Sequence, residues 1–208
     1  MSRQDCERGI LLKQYRISIT KEIVRKSIHV CSACIPALLD RLYVPTVIAL
    51  ACAALLYCVS ELLRHRGIDV PLVAKITAAA ARKRDENKFV LGPVTLVTGI
   101  LLAAFTLGAE GYRIGIYALA FGDGLASFAG KLFGRVRIPL TNGKTAAGSL
   151  TCFFAVFVSS FTVCANAEAA FFLALIATFV EVLPLADLDN VLIPVLIGKA
   201  AECILRVC

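Results

Sequence analysis

Apolar residues run in blocks of roughly membrane-crossing length along most of this chain, and that pattern leaves few folds open to it. Crossing ~30 Å of hydrocarbon takes ~20 residues of helix. Runs approaching that length predict seven spans, at about 28–43, 44–63, 92–109, 114–133, 145–165, 168–185 and 190–206. The first is short, and Pro36 interrupts it. Of the 208 residues, 59% are hydrophobic and the mean hydropathy is +0.80, more apolar surface than a soluble domain of this size can bury. The expectation is a single transmembrane domain over residues 1–208, all-α and polytopic.

Charge gives the sidedness. The first 27 residues carry seven Lys or Arg, the connection 64–91 seven and the stretch 131–144 four, while the intervening turns carry one each or none. Basic segments on alternate connections place the N-terminus, the 64–91 loop and the 131–144 loop in the cytoplasm. An odd number of spans then puts Cys208 on the far side. The polar, mixed-charge start does not read as a cleavable signal peptide. Most of the nine cysteines fall inside apolar runs, where they act as small hydrophobes rather than a disulfide framework. The expected location is a bacterial plasma membrane, and no nucleic-acid partner is implied.

Asp123 interrupts the apolar stretch 114–130. A carboxylate at lipid depth costs about 2.5–3.5 kcal/mol on insertion scales, so it persists where it pairs with something or does chemistry. Gly122 and Gly124 flank it, and Lys131, Arg135 and Arg137 follow, the first about two helical turns on. An acid beside a basic loop points to a metal-dependent site for an anionic substrate, and Mg²⁺ favours carboxylate oxygen. On a helix Asp123, Ser127 and Gly130 share a face, with Gly134 next along it. For the glycines alone, close helix packing explains the spacing. Gly143-Lys144-Thr145 lacks the upstream glycines of a P-loop, yet a lysine ahead of a helix start can hold an anion. Lys144 can equally be a simple topology determinant.

Four blocks, spread over nearly the whole chain, resemble the membrane lipid kinases that use CTP: the dolichol kinase, phytol kinase and CTP-dependent diacylglycerol kinase family. The first block is Glu22, Arg25, Lys26 and His29, similar to the pattern E-x-x-R-K-x-x-H. The second is the run Arg82 to Glu86 leading to Gly92. The third is Asp123, Ala126, Gly130 and Gly134, with Lys144, Thr145, Gly148 and Ser149 downstream. The fourth is Glu181 followed by Asp189, Asn190 and Pro194. CDP-diacylglycerol synthases are more distantly similar. Ala147 stands where many members carry glutamate, and the C-terminal region lacks the glycine- and histidine-rich signature of those cytidylyltransferases.

The resemblance implies transfer of the γ-phosphoryl group of CTP to a membrane lipid alcohol at the cytoplasmic face, with Mg²⁺. Asp123, Lys144 and Glu181 would be catalytic, and Asp123 and Asp189 would hold the metal. Arg25, Lys26, His29, Arg84, Glu86, Gly130, Gly134, Thr145, Gly148, Ser149 and Asn190 would line the nucleotide site. From the residues alone, His29 can also be a polar end to the first span, Glu22 and Lys26 an ordinary i,i+4 helix pair, and Lys199 a partner for an acid on another helix. A phosphatidate cytidylyltransferase is the rival enzyme, and a small transporter or channel the rival of another class. A homodimer is left open.

Overall fold

A computed structural model describes residues 19–68, 70–71, 73, 77, 89–139, 141, 143–185 and 187–206. Among them all regular structure is helical, apart from an isolated antiparallel bridge between Arg137 and Thr145. Helix α1 covers residues 19–31, and a 3-10 turn (Ser32–Cys34) joins it to α2 (Ile35–Arg41). Pro36 lies in the first turn of α2 and has no N–H to give the turn before it. The stretch expected as one span over 28–43 is therefore three short pieces.

The six later apolar stretches all form helix, with bounds close to those expected. They are α3 (Tyr43–His65), α4 (Gly92–Thr106), α5 (Ala109–Tyr117) running on into α6 (Gly124–Phe133), α7 (Ala146–Cys164), α8 (Ala167–Val182) and α9 (Asp189–Leu205). A π-helical segment, Ala118–Asp123, joins α5 to α6. Among the described residues two helices, α3 and α7, have by themselves the length and apolarity to cross a bilayer, while α4 is apolar but shorter. Only 6% of the apolar window of α3 is buried in the bundle, and Leu55 and Leu56 are each 66% exposed. In water that face would be an aggregating patch; against acyl chains it is at home.

Helix α9 lies across α4 and α5 and is held there by close backbone approach. A Cβ at Gly99 would strike the Asn190 carbonyl, one at Gly115 the Pro194 carbonyl, and one at Gly198 the Leu107 side chain. Pro194, inside α9, cannot donate to the carbonyl four residues back, which is that of Asn190. The glycine hydrogen of Gly99 points at this released oxygen. Where helices gain little by leaving lipid, small residues and tight contact hold them together. Ile100, Ile114, Leu119, Leu173 and Ile197 fill the centre, each no more than 1% exposed.

Polar groups gather at the two ends of the bundle. At one, Asp40 accepts from Tyr112 and from Arg113 Nε (2.9 Å), and Glu202 accepts from the Gly108 amide (2.6 Å) and Lys199 Nζ (2.9 Å). The expectation that Lys199 pairs with an acid on another helix is thus corrected. It sits one turn from Glu202 on α9, with its side chain 58% exposed. The other end holds the candidate site.

Candidate active site

Charged side chains from distant parts of the sequence meet there around a cavity of about 380 Å³. Helix α1 supplies Glu22, Arg25 and Lys26, and the strand of helix through Asp123 also supplies Ser127 and Lys131. Lys144 comes from the connection before α7, Glu181 from the end of α8 and Asp189 from the start of α9.

The π segment ends at Asp123, so the helix is locally widened where the carboxylate turns inward. Gly124 follows, and a Cβ there would lie 3.1 Å from Val30 of α1. That close approach lets α1 lay two groups on the acid. Lys26 Nζ donates to Asp123 Oδ2, and His29 Nδ1 lies 3.3 Å from the same oxygen without hydrogen-bond alignment or another partner. All three side chains are at most 5% exposed. Burial pushes the Lys26 ammonium below its ordinary pKa, and the Asp123 carboxylate works against that fall. Removing one member of such a pair leaves the other as an uncompensated buried charge.

A second pair crosses the cavity. Lys144 Nζ lies 2.5 Å from Glu181 Oε1, while Glu181 Oε2 is buried and has no hydrogen-bond partner. The loop reaches this position by turning back on itself. Gly143 has φ +82°, the left-handed region that favours glycine, and Ile138 N then donates to Lys144 O (2.9 Å) and Ala146 N to Val136 O (3.0 Å). Thr145 caps α7 by accepting from the Gly148 amide (3.2 Å). Two of the amides that open α7, those of Ala146 and Gly148, are therefore already committed to the loop and the cap.

The glycines of the third block are packing residues first. A Cβ at Gly130 would lie 2.8 Å from Thr145 Oγ1, one at Gly134 2.6 Å from Thr145 Cγ2, and one at Gly148 2.9 Å from the Ala126 carbonyl. Gly130, Thr145 and Gly148 also form cavity wall, whereas Gly134, Ser149, His29 and Asn190 do not. The Asn190 amide ties α9 to α4 through Thr95 Oγ1 (2.9 Å) and the Gly92 carbonyl. Arg84 and Glu86 lie outside the described residues.

Three polar or charged side chains of the cavity were not among the site residues read from sequence: Glu22, Ser127 and Lys131. Glu22 does not pair with Lys26 but with Arg25 (2.5 Å), Ser127 Oγ (3.0 Å) and Lys131 (3.3 Å). Burial alone would raise its carboxyl, but Arg25, Lys131 and Lys26 together hold it down at about 2. The signal for Glu22 was present, since it opens the block that ends at His29. What the sequence hid was the partner, because i,i+4 spacing favoured Lys26 while the fold sends Lys26 to Asp123.

Among the described residues no three His, Cys, Asp or Glu side chains cluster as a metal site. The donor set fits an ion of the magnesium kind nonetheless, which commonly takes one or two carboxylates and fills its shell with water and substrate phosphate. Asp123 and Asp189 face the same cavity, and the unpartnered Glu181 oxygen adds acceptor capacity there.

The chain is similar to plant phytol kinases. It is 26% identical over 196 residues to phytol kinase 1, chloroplastic, of Arabidopsis thaliana, a match covering 85% of this chain and 64% of that protein. Probable phytol kinase 1, chloroplastic, of Glycine max is 28% identical over 145 residues, and its counterpart in Oryza sativa subsp. japonica 29% over 153. Those matches cover 61% and 64% of this chain and 46% and 47% of the relatives. The chain thus spans between about half and two thirds of their length. No family model matches it, and no solved structure does so significantly. None of the three relatives is a cytidylyltransferase, and, all being plant proteins, they lend no support to the bacterial plasma membrane expected above.

Proposed function

We propose that the protein is an integral-membrane kinase that transfers the γ-phosphoryl group of CTP to a membrane lipid alcohol. The observation that carries this reading is the charged cavity at one end of an apolar bundle, where acids and cations from four sequence-distant segments face one another. Similarity to phytol kinases supplies the reaction class. Seven spans, with the cavity toward the basic, cytoplasmic side, complete the proposal. Labelling of cysteines introduced at Gly143 and Asn166 would then occur from opposite faces.

In this mechanism the oxygen of the lipid hydroxyl attacks the γ-phosphorus, the bond from that phosphorus to the β–γ bridging oxygen breaks, and CDP leaves. The unpartnered Glu181 oxygen accepts the hydroxyl proton. Lys144 exchanges its contact with Glu181 for phosphate oxygens, and Lys131 and Arg25 neutralise the triphosphate at the mouth. Such chemistry depends more on positioning and charge neutralisation than on covalent help from the protein. Asp123 and Asp189 would hold Mg²⁺, which supplies neutralisation of the developing phosphate charge. Lys26 orients Asp123 by donating to it.

Purified protein given [γ-³²P]CTP and a panel of lipid alcohols should yield a labelled phospholipid on thin-layer chromatography. Label from [α-³²P]CTP entering added phosphatidate instead would make the protein a cytidylyltransferase, and label from neither would overturn the proposal.

A further inference from the structure

An apolar groove of about 820 Å³ runs down the outside of the bundle, and the mechanism above does not use it. Phe121 and Leu125 line one wall, and Leu150, Phe154 and Val158 of α7 line the other. Four hydroxyl side chains also border it, and three have spent their protons on helix carbonyls: Thr151 on Ala147 O (2.8 Å), Ser159 on Val156 O (3.2 Å) and Thr162 on Ser159 O (2.8 Å); the fourth is Tyr117, whose ring stacks on Phe121. The groove therefore offers a predominantly hydrocarbon surface.

We propose that this groove binds the hydrocarbon chain of the lipid alcohol, with the hydroxyl end at Leu125 and Leu150 and the tail running toward Thr162; the proposal rests on the kinase reading. Continuity with the cavity is the first argument. One stretch of helix turns Asp123 and Ala126 to the cavity but Phe121 and Leu125 to the groove, and α7 turns Gly148 to the one and Leu150 to the other. On α1 and the turn after it, Lys26 faces the cavity and Ala33 the groove. Length is the second argument. From Leu150 to Thr162 the groove follows α7 for roughly 18 Å at 1.5 Å per residue. That is about one leaflet of a ~30 Å hydrocarbon core, measured from the end where the reaction is placed. A chain lying in that leaflet brings its hydroxyl beside the cavity without leaving the membrane.

The test combines a ruler with a direct label. Val158, 58% exposed, sits about two thirds of the way down the groove, so Val158→Trp adds bulk there without overpacking the core. Turnover of a long-chain isoprenoid alcohol should fall at least tenfold in kcat/KM, a short prenol should be used as before, and the KM for CTP should not change. An unchanged chain-length profile in a folded variant would overturn the proposal. Independently, a single-chain alcohol with a mid-chain diazirine should label Phe154 and Val158 in the wild-type protein, and excess unlabelled alcohol should suppress that labelling. Label spread instead over exposed apolar positions such as Leu55 and Leu56 of α3 would mean ordinary bilayer contact and would overturn it. Suppressible groove labelling in a protein that phosphorylates no alcohol would keep the groove and remove the kinase reading.

Discussion

The two polar ends of the bundle use the same residue types for different ends. Opposite the cavity, Asp40 meets Arg113 with side chains 28% and 36% exposed, and Glu202 satisfies the first amide before α5. Those contacts close helix ends against water and leave little over. At the cavity, Lys26 and Asp123 pair while almost wholly buried, although 97 residues separate them, and Lys144 reaches Glu181 across 37. There His29 Nδ1, Glu181 Oε2 and Arg25 Nε are all buried without a hydrogen-bond partner. A structural network satisfies its members, since each unsatisfied buried polar group costs about 1–3 kcal/mol. The unpartnered buried charged or ionisable groups among the described residues all lie at the cavity end, which makes the cavity the candidate place for a ligand.

The sharpest way to break this comparison is to remove an acid from each end. Asp123→Asn should lower kinase activity on the order of 10²–10³-fold, a loss of the size seen when a group stabilising transition-state charge is removed. Asp40→Asn should leave kcat/KM within about twofold. Asp123→Asn also strands Lys26, so a drop in detergent melting temperature is expected with it. Lys26→Met combined with Asp123→Asn removes both charges and should recover the melting temperature but not the activity. Recovery of activity in the double variant would make Asp123 a packing partner only.

Lys144→Ala is expected to have the next largest effect. The apparent KM for CTP should rise about tenfold and kcat should fall, while the KM for the lipid changes little, because the ammonium contacts phosphate more strongly in the transition state. Lys144→Arg should rescue only in part, since a wide guanidinium does not reproduce a compact ammonium between Glu181 and a phosphate. Unchanged CTP kinetics would return Lys144 to a charge that merely orients α7.

Much of this site was legible before any fold was known, and what was missed has a physical cause. Asp123 stood out because charge inside an apolar run is costly and Lys144 because it precedes a helix start, whereas Glu181 and Asp189 were marked by the family resemblance, and the fold brings all four to one cavity. Asn190 was marked by the same block of the resemblance as Asp189, yet one residue of helix turns a side chain by ~100° and sends its amide to Thr95 instead. Glu22 was assigned the wrong partner because local spacing is visible in a sequence and contact with Lys131, across 109 residues, is not. The apolar stretches after the first proved helical nearly to their expected ends. The break at Ser32–Cys34 was marked only by Pro36, and the π segment had no marker beyond the costly residue at its end.

A smaller effect should appear at low pH. Glu22 is held at about 2 against an ordinary 4.5. A carboxylate depressed on folding stabilises the folded state fully above its unfolded value, and that stability is lost as pH falls through the folded one. Thermal melting of the wild-type protein in detergent should therefore decline between about pH 4.5 and pH 2, and Glu22→Gln should show a shallower decline. Parallel curves would mean that Arg25 and Lys131 do not hold Glu22 in solution.

The smallest effect is expected at the exposed pair on α9. Lys199 donates to Glu202 one turn away with its side chain 58% exposed, and an i,i+3 pair in that setting is worth a few tenths of a kcal/mol at most. Glu202 keeps its contact with the Gly108 amide whether or not the lysine is present. Lys199→Met should therefore leave melting temperature and kinetics essentially unchanged, whereas Glu202→Met should lower the melting temperature by exposing the start of α5. Equal losses from both substitutions would show that the lysine does more than rest on the acid. A loss of activity from Lys199→Met without a loss of stability would place a functional group at the end of the bundle opposite the cavity, and the contrast between the two ends would fail.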